Sequence, residues 1–87
     1  MNSVADTLHH VTSIVAAVAE RPTEEIAPES RLIEDLELDS LQVVEIAVRA
    51  EEALGTPVDD TLLAEPGTTV ARCAQVVYET GAREALA

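Results

Sequence analysis

The sequence predicts an all-α fold, a small four-helix bundle with three principal helices, one short helix and a long first loop. Three observations carry that prediction. Apolar residues recur at helical spacing in three separate stretches, capping residues stand where each stretch begins, and proline or glycine falls between them. At 87 residues the chain has the length of a single domain, 1–87, built on one core.

In the first stretch Val4, Leu8, Val11, Ile14, Val15 and Val18 share one helical face, and Ser3 with Asp6 forms a capping-box pattern. Pro22 disfavours helical geometry in the residue before it, so this helix is expected to stop near Arg21. The connection from Arg21 to Asp39 is rich in Pro, Glu and Asp. It also carries Ile26, Leu32, Ile33, Leu36 and Leu38, which need something to pack on, so it reads as an ordered loop rather than a linker. The second helix is predicted over Ser40–Leu54, with Asp39 as N-cap, Gln42 closing a capping box and Gly55 just past the end. Val58 to Leu63 predicts a short helix with Asp59 or Asp60 near its start, interrupted by Pro66-Gly67. Thr69 then caps a final helix whose Val70, Cys73, Ala74 and Val77 line one face, and which is expected to fade out around Gly81.

The core must be aliphatic, because the chain has no Phe, no Trp and only Tyr78 as an aromatic residue. Five basic residues against seventeen acidic ones leave a net charge of −12, which disfavours nucleic acid and anionic lipid and favours basic protein surfaces as partners. Cys73 is the single cysteine and cannot form an internal disulfide. Polar residues after Met1 do not match a secretory signal, and no apolar run approaches the roughly 20 residues that span a bilayer. A cytoplasmic monomer with no membrane association is expected.

The second helix has two apolar stripes. Val43, Ile46, Ala47, Ala50 and Leu54 fall within one arc of roughly 100° and form an ordinary core face. Ala47 and Ala50 either leave space between helices or let the helices approach closely. Leu41, Val44 and Val48 lie on a separate stripe that begins beside Ser40 and is flanked by Glu45, Glu51 and Glu52. An exposed apolar strip rimmed by carboxylates suits partner docking, with burial supplying affinity and charge supplying steering. The alternative is a helix buried on both sides.

The stretch Asp35-Leu36-Glu37-Leu38-Asp39-Ser40-Leu41 resembles the phosphopantetheine-attachment motif of acyl carrier proteins, in which Asp-Ser-Leu opens the second helix of a four-helix bundle. The resemblance covers nearly the whole chain, including the loop Ile26-Ala27-Pro28-Glu29-Ser30-Arg31-Leu32 and the closing Thr68-Thr69-Val70. It implies that a phosphopantetheinyl transferase moves 4'-phosphopantetheine from coenzyme A onto Ser40, flanked by Asp39 and Leu41 as recognition residues. The terminal thiol of the arm would then hold acyl intermediates as thioesters. An acyl-loading enzyme and a ketosynthase or other condensing enzyme are the further partners implied, and Ser40 itself performs no catalysis. Apart from any family, a primary hydroxyl at a helix start is exposed, and the unpaired N–H groups there favour an attached phosphate. Read without the family, Ser40 is a first-turn residue and Asp39 a cap.

The chain departs from the family pattern at two places. Many members have Gly where this chain has Glu37, so a turn needing positive φ there is strained. Fatty-acid carriers usually follow Asp-Ser-Leu with an acidic residue, whereas Gln42 here points toward a polyketide or related specialised pathway. Peptidyl or aminoacyl carriers more often have His before the serine, so Asp39 argues against that alternative; a second one is an acidic helical adaptor without a prosthetic group. No metal site is expected. Asp35, Glu37 and Asp39 match the first, third and fifth positions of a calcium loop, but Ser40 and Ile46 stand where the template needs Gly and Glu. His9 and His10 are adjacent, point about 100° apart on a helix and read as surface residues. Cys73 reads as a small core residue.

Overall fold

The first apolar stretch folds as α1 (Val4–Ala19) in a computed structural model that describes residues 4–55 and 57–86, without the side chains of residues 81–86. Val11, Val15 and Val18 are buried, Leu8 and Ile14 pack at the edge of the core, and Val4 stands half exposed. The Ser3–Asp6 cap involves Ser3, which lies outside the described residues. α1 ends at Ala19 rather than Arg21, because Glu20 turns the backbone left-handed at φ 57°. The Arg21 N–H then reaches the Ala16 carbonyl at 3.0 Å and the Glu20 N–H reaches Ala17 at 3.3 Å, the two closures of a Schellman motif. Glycine usually holds that position, so a glutamate there is strained.

The other helices are α2 (Ser40–Leu54), the short α3 (Asp60–Leu63) and α4 (Val70–Leu86). This is the predicted bundle of three principal helices and one short one. Among the described residues it has no strand, and β pairing is limited to an isolated bridge between Arg31 and Thr69. α2 has the expected bounds, and Gly55 ends it in the left-handed region at φ 72° with its N–H on the Glu51 carbonyl. α3 starts after Val58 because the Val58 N–H is held by the Glu51 carboxylate and Asp59 takes the N-cap, accepting from the Thr61 N–H. α4 is capped by Thr69, whose hydroxyl accepts the Arg72 N–H at 3.0 Å. It runs past Gly81 to Leu86, since a glycine inside a helix costs only about 1 kcal/mol.

α1 packs against α4 and α2, and α3 packs against α2. The aliphatic core between them takes Val43, Ile46, Ala47 and Ala50 from α2 and Val70, Cys73, Ala74, Val76 and Val77 from α4. Burial pushes the Cys73 thiol up to about 12, so it stays protonated at neutral pH. Four residues of the long loop, Ile26, Leu32, Leu36 and Leu38, are buried in the same core. Ile33 is the exception and faces solvent. A single turn of 3-10 helix, Thr23–Glu25, follows Pro22 without any apolar periodicity to mark it.

Main-chain bonds strap this loop to the start of α4. The Leu32 N–H donates to the Thr68 carbonyl at 2.9 Å, Val70 to Ser30 at 2.9 Å and Ala71 to Pro28 at 2.8 Å. The Leu38 N–H closes back on the Leu32 carbonyl at 3.1 Å, which sets the path of the chain into α2. Between buried Leu36 and Leu38, Glu37 takes φ 57°, the positive value expected where many relatives of the motif carry Gly.

Glu20→Gly and Glu37→Gly are each expected to raise the unfolding free energy in urea by roughly 0.5–1 kcal/mol, because glycine enters the left-handed region without a Cβ penalty. Lower stability in either variant would show that the position is unstrained.

Candidate functional site

The segment leading to Ser40 is shaped by a turn that the sequence does not advertise. The Arg31 guanidinium grips the Asp35 carboxylate from Nε at 3.2 Å and from a terminal nitrogen at 3.1 Å. The Arg31 N–H donates to the same carboxylate at 2.8 Å, and the Asp35 and Leu36 N–H groups both donate to the Arg31 carbonyl. The hydrogen bond from Arg31 is the main reason that the Asp35 carboxyl titrates below its usual range. Asp35 is thereby committed to the turn. Among the described residues no group of three or more His, Cys, Asp or Glu is placed to hold a metal ion.

Ser40 follows at the first position of α2, exposed to solvent. Asp39 and Gln42 form the reciprocal box expected of them: the Gln42 N–H donates to Asp39 Oδ1 at 2.8 Å, and the Asp39 N–H donates to Gln42 Oε1 at 3.0 Å. The Val43 N–H takes the Asp39 carbonyl. That leaves the N–H groups of Ser40 and Leu41 without an acceptor among the described residues, beside an exposed primary hydroxyl at the positive end of a 15-residue helix.

The second stripe of α2 is outside the core. Leu41 is 79% exposed, Val44 39% and Val48 44%, so α2 is not buried on both sides. The carboxylates along it differ in their engagement. Glu45 pairs with Arg49 one turn on, at 2.9 Å, and Glu52 is exposed. Glu51 is partly buried and its Oε1 accepts the Val58 N–H at 2.9 Å. His9 and His10 lie exposed on α1, with ring centroids 6.2 Å apart.

These features suit a phosphodiester on the Ser40 oxygen. The hydroxyl is accessible, two main-chain donors are free beside it, and the neighbouring Asp39 carboxylate is occupied by the Gln42 N–H. Cys73, the one thiol, is buried in the core, so a reactive thiol at this surface has to be brought by an attached group. Arg31, Arg49, Thr68 and the engagement of Glu51 are structural contributors that the sequence reading missed. Arg31–Asp35 has helical i,i+4 spacing but lies in a loop, and Glu51–Val58 spans seven residues across a turn, so no local rule marks either pair.

A family model described as a phosphopantetheine attachment site matches residues 9–77. The chain is 36% identical over 61 residues to an acyl carrier protein of Thermobifida fusca, covering 70% of this chain and 77% of that protein. An acyl carrier protein of Acidothermus cellulolyticus is 38% identical over 58 residues, covering 67% of this chain and 69% of that one. A meromycolate extension acyl carrier protein of Mycobacterium leprae is 39% identical over 54 residues, 62% of this chain but 47% of its own length.

Asp59, held by the Thr61 hydroxyl, is displaced in the same direction as Asp35. A carboxyl depressed by folding contributes stability above its unfolded value, and that contribution is lost as pH falls through the folded one. In an NMR titration of the carboxyl carbons, both groups are expected to remain ionised below the usual aspartate value of 3.8, and Arg31→Ala should move Asp35 back toward it without abolishing the shift, since the main-chain N–H of residue 31 still donates to the carboxylate. Wild-type Asp35 titrating at or above 3.8 would contradict the Arg31 clamp.

Proposed function

The chain belongs to the acyl carrier protein family and carries a covalently attached 4'-phosphopantetheine, and from that premise we propose that Ser40 is the residue that bears it. The observation that carries the assignment is an exposed primary hydroxyl at the capped start of α2, beside two free main-chain donors, in the Asp39-Ser40-Leu41 sequence. Modification would form a bond between the Ser40 oxygen and the phosphorus of the arm as the pyrophosphate bond of coenzyme A breaks, with adenosine 3',5'-bisphosphate as the leaving group and the hydroxyl proton released. The Ser40 and Leu41 N–H groups and the positive end of α2 then favour the added negative charge. The attached arm supplies the thiol that forms acyl thioesters. Asp39 holds Gln42 and so keeps the first turn of α2 wound and Ser40 in place.

Partner enzymes, starting with a phosphopantetheinyl transferase, would meet Leu41, Val44 and Val48, with Glu45 and Glu52 steering basic groups toward them. Leu41, with 79% of its surface in water beside Ser40, has more apolar area to gain by burial than Val44 or Val48. We place the protein, as a cytoplasmic monomer, in polyketide or related specialised acyl biosynthesis, where an acyl-loading enzyme and a condensing enzyme would act on it. Support for the pathway comes from Gln42, where fatty-acid carriers usually have an acid, and from a relative named for meromycolate extension.

Incubation of the unmodified protein with coenzyme A and a broad-specificity transferase is expected to add the mass of one phosphopantetheine. Ser40→Ala should abolish the gain while leaving the circular dichroism spectrum unchanged. An unmodified wild-type chain across several transferases, or full loading of Ser40→Ala, would overturn the assignment.

A further inference from the structure

We propose that Glu51 is a positioning residue for α3 and not one of the charges that partner enzymes read from α2; the second half of this inference rests on the assignment of α2 as the partner-facing helix. One residue closes both ends of the turn after α2. The Glu51 carbonyl accepts the Gly55 N–H at 2.7 Å, and the Glu51 side-chain Oε1 accepts the Val58 N–H at 2.9 Å. Val58 is buried at that point, Asp59 caps α3 immediately afterwards, and Leu63 at the end of α3 is fully buried.

A four-residue helix does not hold itself, because the cost of nucleating a turn outweighs the few bonds that it closes. The placement of α3 therefore depends on how its first residues are fastened to α2, and the Glu51 carboxylate is the side chain of α2 that makes that bond. A hydrogen bond from a main-chain N–H to a carboxylate is stronger than one between neutral groups. A partner that drew this carboxylate outward would leave the Val58 N–H without its acceptor. The exposed Glu52 next to it has no such obligation. Sequence spacing groups Glu51 with Glu45 and Glu52, and the geometry separates it from them.

Glutamine distinguishes the two roles, since it keeps the acceptor oxygen and removes the charge. In the unmodified protein, Glu51→Gln is expected to speed amide exchange at Val58 only a few-fold, as a charge-assisted bond becomes a neutral one, and to leave the transferase KM for the protein within about twofold of wild type. Glu51→Ala should speed Val58 exchange by about tenfold, the loss of one hydrogen bond, and raise KM while kcat is retained. A raised KM in Glu51→Gln with Val58 still protected would show that the charge itself is read, and would overturn the proposal. So would unchanged Val58 exchange in Glu51→Ala, or Val58 exchange in Glu51→Gln as fast as in Glu51→Ala. If the wild-type protein is not loaded at all, the attachment assignment fails, and the exchange measurements still decide whether Glu51 positions α3.

Discussion

Leu32 belongs to no helix, yet the bundle is organised around it. Its side chain is fully buried, its N–H donates to Thr68 ahead of α4, and its carbonyl accepts Leu38 ahead of α2. Truncating a leucine buried to this degree costs about 2–5 kcal/mol, against a total stability for a domain of about 5–15 kcal/mol. By that measure the long loop is part of the core rather than a tether between helices. An aliphatic core with one aromatic residue in the whole chain has few large side chains to spare, and Ile26, Leu32, Leu36 and Leu38 supply four of its members from outside the helices.

The position of Ser40 follows from this. The loop is fastened to α4 by Leu32 and Val70, closed on itself by Leu38, and joined to α2 by the Asp39–Gln42 box. Burying Leu36 and Leu38 on either side of Glu37 goes with the left-handed turn at Glu37, so local strain accompanies the geometry that brings the hydroxyl to the surface. The surplus of negative charge is not spread evenly in its use. Asp35 is spent on the loop through Arg31, Asp59 on the start of α3 and Glu51 on the turn before it, so that of the three carboxylates beside the outer stripe of α2 only Glu45 and Glu52 are exposed.

Most of the helical architecture was legible in the sequence because its signals are local. Asp39 with Gln42, Thr69 at the head of the last helix and Gly55 past Leu54 are readable within a few residues, and each does in the structure what its position implies. Glu37 was legible as a strained position for the same reason. Gly81 misled, because a glycine is a weak helix breaker when the backbone on both sides is already helical. Ile33 sits among apolar neighbours in the chain but outside the core in space, and the loop has no periodicity from which to tell it apart from Leu32. The strap between residues 28–32 and 68–71 joins segments about forty residues apart through main-chain groups, which carry no residue-type signature at all.

The account turns on the long loop being as firmly held as the helices that it joins. Native-state amide hydrogen exchange, followed residue by residue with increasing denaturant, tests this directly. The N–H groups of Leu32, Leu38 and Val70 are predicted to exchange only with global unfolding, on the same free-energy isotherm as Ile46 in the buried face of α2. Exchange of Leu32 and Leu38 through a low-energy local opening, while Ile46 remains protected, would contradict it and would mean that the loop presents Ser40 from a mobile segment.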